Sequence, residues 1–193
     1  MVNKPKQKGT AAESAVVSFL REHGFPHAER LALQGSADRG DITGIPGIVV
    51  EVKACQEYLF SAWLGEAEAE RENAKADFGF VAAKPRMVGT TRTGQWYALM
   101  RHGAFRDLVL QAWKFSDDVV DVWFQDMPGN SISTQISRVL KLAQAHQFDA
   151  KLSHSCVRIT PKGVKDPSMY YVVTTLEQMS DLLVRAGYGR RDG

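Results

Sequence analysis

The sequence is short of several things, and each shortage removes a class of protein. It holds two cysteines, Cys55 and Cys156, far apart and in no CxxC pair, so neither a disulfide framework nor a cysteine metal site is written into it. No stretch approaches the roughly 20 consecutive apolar residues that a membrane-spanning helix needs. The first residues, Met1 to Lys8, are polar and basic with no apolar run behind them, unlike a secretory signal. Net charge is only +2, so composition alone does not mark a nucleic-acid binder, and any basic surface has to be local. Internal repeats and low-complexity runs are also missing. These absences lead us to expect a reduced, soluble, cytoplasmic protein with no membrane partner.

What is present suits an ordinary globular chain. Apolar residues make up 44% and charged residues 24% of 193 positions, enough for a normal core in one domain or one domain with an appendage. Thr10-Ala11-Ala12-Glu13 fits a capping box that opens a helix running to His23 and ending at Gly24. Three extended segments follow at 28–33, 41–43 and 47–53, the last two joined by the turn sequence Gly44-Ile45-Pro46-Gly47. A helix over 58–75, strands at 78–83 and 96–100 and a helix over 104–115 complete a mixed sheet flanked by helices. Composition shifts near Asp117. Beyond it the pattern gives a helix at 132–146, strands at 156–160 and 169–173, and an amphipathic helix at 176–186. The expected division is a core over residues 1–116 and a small C-terminal α/β appendage over 117–193. The stripe of Met179, Leu182, Leu183 and Ala186 on the last helix reads as core.

The segment 47–53 carries the odd feature. Ile48-Val49-Val50-Glu51-Val52-Lys53 is a β-branched run interrupted by one acid and one base. Strand side chains alternate, so Glu51 and Lys53 share a face that Val50 and Val52 do not. If the turn centres on Pro46, residues whose numbers sum to 92 stand opposite each other, which sets Asp41 against Glu51. Like charges opposed at about 4.5–5.5 Å destabilise a sheet. A local conflict of that kind tends to mark function.

A divalent cation resolves the conflict. Mg²⁺ is held by one or two carboxylates together with waters and phosphate oxygens. Asp41 and Glu51 are the candidate ligands, with Glu13 as a further one because it lines up with Val16, Val17 and Leu20 on the buried stripe of the first helix. Lys53 would hold or deprotonate the attacking water and offset phosphate charge. Each piece alone has a plainer reading: Glu13 as a capping acid, Glu51 with Lys53 as a solvated edge pair, Asp41 as a turn cap. The ordered combination points instead to phosphodiester hydrolysis. Trp63, Glu66, Glu70 and Asn73 share one face of the second helix, either as a partly solvated face anchored by Trp63 or with Glu66 or Asn73 reaching the site. Lys84, Arg86 and Arg92, in a long Gly/Thr-rich loop, and Lys4, Lys6 and Lys8 in the tail are the candidate phosphate contacts.

A helix glutamate, an aspartate and then E-x-K on a hairpin make this chain similar to the PD-(D/E)XK nuclease superfamily. Within it the chain resembles the archaeal-type Holliday junction resolvases and those of tailed phages of actinobacteria. The matching text is GTAAESAVVSFLREHGF, LALQGSADRGDITGIPGIVVEVKA, WLGEAEAERENAKADFGFVAAKPR and WYALM, covering roughly residues 9–115. The resemblance implies a restriction-endonuclease-like fold, metal ligands at Asp41 and Glu51, catalytic Lys53 and Glu13 as the helix acid. It also implies a hydroxyl near the phosphate at Ser36, with Arg39 beside it as a DNA contact. Gly40 stands where the family usually has proline. By the same resemblance the expected activity is Mg²⁺-dependent resolution of four-way DNA junctions by a homodimer, with Mn²⁺ able to substitute, in the host cytoplasm if the chain is phage-encoded. The alternatives are a restriction or repair nuclease of the same superfamily, or a non-catalytic DNA-binding protein of that fold.

Overall fold

The structure is a computed structural model, described here for residues 4–31, 39–114, 157–159 and 165–190. Helix α1 (Lys4–Glu22) leads into the short strands β1 (Glu29–Arg30) and β2 (Ile42–Thr43), then β3 (Ile48–Lys53) and helix α2 (Phe60–Ala74). Strand β4 (Phe78–Ala83), a 3-10 segment (Thr90–Gln95), β5 (Tyr97–Arg101) and α3 (His102–Trp113) follow. The chain closes with β6 (Val157–Ile159), β7 (Tyr171–Thr175) and α4 (Leu176–Ala186). The strands form one mixed sheet in the order β1-β2-β3-β4-β5-β7-β6, with β3 and β4 parallel and the other neighbours antiparallel. The fold is α+β, as the periodicities indicate.

Alternation along the strands gives the sheet two different faces. Ile48, Val50 and Val52 of β3, Phe80 and Ala82 of β4 and Met100 of β5 bury against α1, α3 and α4 in one apolar cluster. Val81, Ala83, Leu99, Tyr171 and Val173 point the other way, under Phe60, Trp63, Leu64 and Ala67 of α2. Trp63 is thus a packing anchor, and Met179, Leu182 and Leu183 are core, both as expected. Gly79 makes the second layer tight. A Cβ there would sit 3.0 Å from the Ala67 carbonyl oxygen and 3.2 Å from Arg71 Cβ, so only glycine lets α2 lie this close to β4.

Three expectations change. Residue 116 does not separate two sheets: β7 pairs along all of β5, from Tyr97↔Thr175 to Arg101↔Tyr171, so β7 and α4 belong to the sheet and layers built by the first half. Helix α1 starts at Lys4 rather than after Thr10, whose carbonyl accepts from Ser14 Oγ at 2.9 Å inside the helix. The capping box lies instead at Thr175 and Gln178, where side chain and backbone bond reciprocally at the start of α4. Finally, the long Gly/Thr-rich loop after β4 is partly ordered and packed down. Its 3-10 segment packs with Gly94 against Phe19 of α1, buries Thr93, and is tied by Trp96 Nε1 to the Gly89 carbonyl at 3.2 Å. The helix expected at 132–146 lies outside the described residues. No helix among the described residues is long and apolar enough to cross a membrane.

Candidate active site

The site forms where β2 ends beside β3. Ile42 pairs with Val50, the register in which paired numbers sum to 92, so Asp41 comes opposite Glu51. Gly40 makes this approach possible. Its φ is 88°, and a Cβ would lie 2.8 Å from Val49 Cγ1 and 3.1 Å from the Val50 carbonyl oxygen. Proline, with φ fixed near −65°, could not take that conformation. Asp41 N–H donates to the Val50 carbonyl at 3.0 Å, and Asp41 Oδ2 accepts from Val52 N–H at 2.8 Å. The carboxylate therefore takes the place of a backbone acceptor where the ladder stops, and its position is fixed by the strand.

Glu51 lies buried next to it, 7% exposed. Burial first, then the neighbouring Asp41 charge, pushes Glu51 up to about 8, and burial likewise raises Asp41. Lys53 Nζ donates to Glu51 Oε1 at 2.5 Å and pairs with Glu66 Oε2 of α2 at 2.7 Å. Burial disfavours its charge, but the hydrogen bonds to Glu51 and Glu66 outweigh that and hold the ammonium protonated well above the ordinary lysine range. A cation so held can orient water and balance phosphate charge. It is not set up as a base.

Glu13 is placed differently from the expectation. The apolar residues of α1 pack with Val50 and Val52, on the face opposite Glu51 and Lys53. Its carboxylate Oε2 accepts from Arg30 Nε at 2.8 Å and Nη2 at 2.5 Å. Glu13 is still close enough for its charge to raise Asp41. Among the described residues no three His, Cys, Asp or Glu side chains are grouped to hold a metal ion. The donors a divalent cation would find together are Asp41 and Glu51.

Of the expected DNA contacts, Ser36 lies outside the described residues and Arg39 is exposed. Lys84 is half-buried, and its N–H donates to the Lys53 carbonyl at 2.8 Å, which ties the loop to the site. Arg86 and Arg92 are exposed, but both guanidinium groups bond to the chain's own backbone. Arg86 donates to the Gln56 carbonyl through Nε at 3.0 Å and Nη2 at 2.5 Å, and lies over the Tyr58 ring at 5.6 Å. Its backbone N–H donates to Tyr58 Oη at 2.7 Å, and Arg92 Nη2 donates to the Met87 carbonyl at 3.1 Å. As placed, both brace the loop. The side chains of the tail lysines Lys4, Lys6 and Lys8 lie outside the described residues.

Glu70 was not singled out ahead of Glu66 and Asn73, yet it is the buried acid of α2, 5% exposed, and its charge helps raise Glu51. Its position four residues after Glu66, on the Trp63 face, was the available signal. No family model matches this chain, and neither a curated protein nor a solved structure does.

Proposed function

We propose that this protein is a metal-dependent endodeoxyribonuclease of the PD-(D/E)XK type that cuts four-way DNA junctions. The observation that carries the reading is the register that sets Asp41 opposite the buried Glu51 with Lys53 on the same face. Two acids held this close form an unfavourable pair that a cation would relieve, and a protein that only binds DNA has no use for it. The donor set fits Mg²⁺, with Mn²⁺ as a substitute, because a pair of carboxylates offers the hard oxygen ligands these ions take.

Asp41 and Glu51 would hold the ion, Asp41 already oriented by Val52 N–H. The bound ion would supply water activation and charge neutralisation at the scissile phosphate. The chain's own groups do the rest. Glu51, whose proton is held by burial and by the Asp41 charge beside it, would have to be ionised to serve as a ligand. Lys53 keeps its proton at Nζ and places a positive charge where the phosphate carries negative charge. Glu13 acts on Asp41 through its field, with Arg30 holding it in place. In-line hydrolysis leaves a 5′-phosphate and a 3′-hydroxyl.

Selectivity for junctions, the homodimer, the restriction-endonuclease-like classification and the contact from Ser36, with Arg39 beside it, rest on the sequence resemblance, and the contact from Lys84 rests on the basic loop that carries it. Cleavage of a synthetic four-way junction tests the whole reading. Mg²⁺ should support symmetric nicking, while chelator, Glu51→Ala or Lys53→Ala should each lower the rate roughly 10³-fold or more. The same products at the same rate in all four conditions would end the nuclease assignment. Linear duplex cut as fast as the junction would move the reading to a restriction or repair enzyme.

A further inference from the structure

Lys53 has two acidic partners at nearly equal distance on different elements: Glu51 on its own strand at 2.5 Å and Glu66 on α2 at 2.7 Å. We infer that Glu66 is a positioning residue, a second seat for the Lys53 ammonium that lets Glu51 be released to a metal ion. This rests on the proposed metal-dependent reading and goes beyond it in assigning a role to α2.

The argument is one of competition. An ammonium has three donors and no acceptors, so Lys53 can serve both acids at once. Glu51 is buried and Glu66 is half in solvent, with 9% and 52% of their side-chain surfaces exposed. A cation that takes Glu51 competes with Lys53 for the charge of the same carboxylate. If Lys53 had no other acid, stripping it from a buried carboxylate would leave a half-buried charge without its counter-ion, an expensive outcome. Glu66 removes that obstacle: the ammonium stays paired and keeps its place beside the site, with donors left for a phosphate oxygen. The close approach of α2 at Gly79 helps bring Glu66 within reach. Glu66 is exposed enough to be replaced without opening the core.

The test separates this role from simple electrostatic attraction between Glu66 and the ion. Mn²⁺ binding is measured by calorimetry without DNA for the wild type, Glu66→Gln, Lys53→Met and the double variant, with circular dichroism to verify folding. If Glu66 acts through Lys53, Glu66→Gln weakens Mn²⁺ binding about tenfold in the wild type and less than about twofold once Lys53 is methionine, the non-additivity expected of coupled residues. In junction cleavage at saturating metal, Glu66→Gln then lowers kcat, through a misplaced Lys53, more than it changes KM. An equal loss of Mn²⁺ affinity in both backgrounds, or no loss in either, overturns the role. A wild type that binds no Mn²⁺ overturns the metal reading itself, and the inference with it.

Discussion

The two faces of β3 are made by alternate residues of one strand, and they obey different rules. Val50 and Val52 face α1, α3 and α4 in a layer where everything is apolar and closely packed. Glu51 and Lys53 face α2, within a layer that carries Glu66 and the buried Glu70 at its margin. The first face explains why the sheet holds together. The second places a raised carboxylate pair and a cation in the same half-dry environment, and nothing about stability calls for it. Its ions are tolerated because each is matched, Glu51 by Lys53 and Lys53 by two acids. The contrast implies that substitutions on the two faces move stability in opposite directions.

The largest expected effect is on the apolar face. Phe80 is fully buried in the larger cluster, so Phe80→Ala should cost about 3–5 kcal/mol in urea unfolding. The charged face should show the reverse, and pH reveals it. Glu51 titrates at about 8 in the folded chain, against 4.5 for the ordinary group. Between those values the folded state holds a proton that the unfolded state has lost, so metal-free stability falls as pH rises, by at most about 1.4 kcal/mol per pH unit for one proton. Lys53 adds no slope in this window, because below the ordinary lysine value of 10.5 both states keep its proton. Glu51→Gln should remove most of the decline and be the more stable protein at pH 9. A wild-type stability that rises from pH 5 to pH 8 would mean that Glu51 is ionised throughout, and the two faces would then follow the same rule.

Much of this contrast is legible before any coordinates. The register of β2 on β3 follows from a turn centred on Pro46 and a period of two, and Ile42↔Val50 agrees with it. Strand β4 and helix α4 follow from apolar periodicity with local punctuation, and both occupy the residues expected. What failed was non-local. Strand β7 joins β5 across a long interval of sequence, and no nearby residue announces that partner. Glu13 reads as a site acid on its own helix, but the partner that turns it is Arg30, on a strand seventeen positions on. The start of α1 was misplaced because Gly9 and the lysines before it look like a tail, although their backbone continues the helix. Glu66 was visible as a possibility through its spacing from Trp63. Its bond to Lys53 required knowing how closely Gly79 lets the helix approach.

The loop after β4 gives the smallest and most discriminating effect, because it sets a free cation beside a used one. Lys84 has its backbone tied to Lys53, and among the described residues no acid is paired with its ammonium. Arg86 is spent on the Gln56 carbonyl and the Tyr58 ring. If the loop meets DNA, Lys84→Ala should lower the salt dependence of junction binding by about one phosphate contact, with little change in unfolding. Arg86→Ala should leave the salt slope nearer to the wild-type value and lower stability by about 1 kcal/mol, the loss of a hydrogen bond from a charged donor. The two readouts therefore exchange places between neighbouring cations. An Arg86 variant that flattens the salt dependence as much as the Lys84 variant, with unfolding unchanged, would mean that the guanidinium leaves Gln56 for the phosphate backbone when DNA arrives.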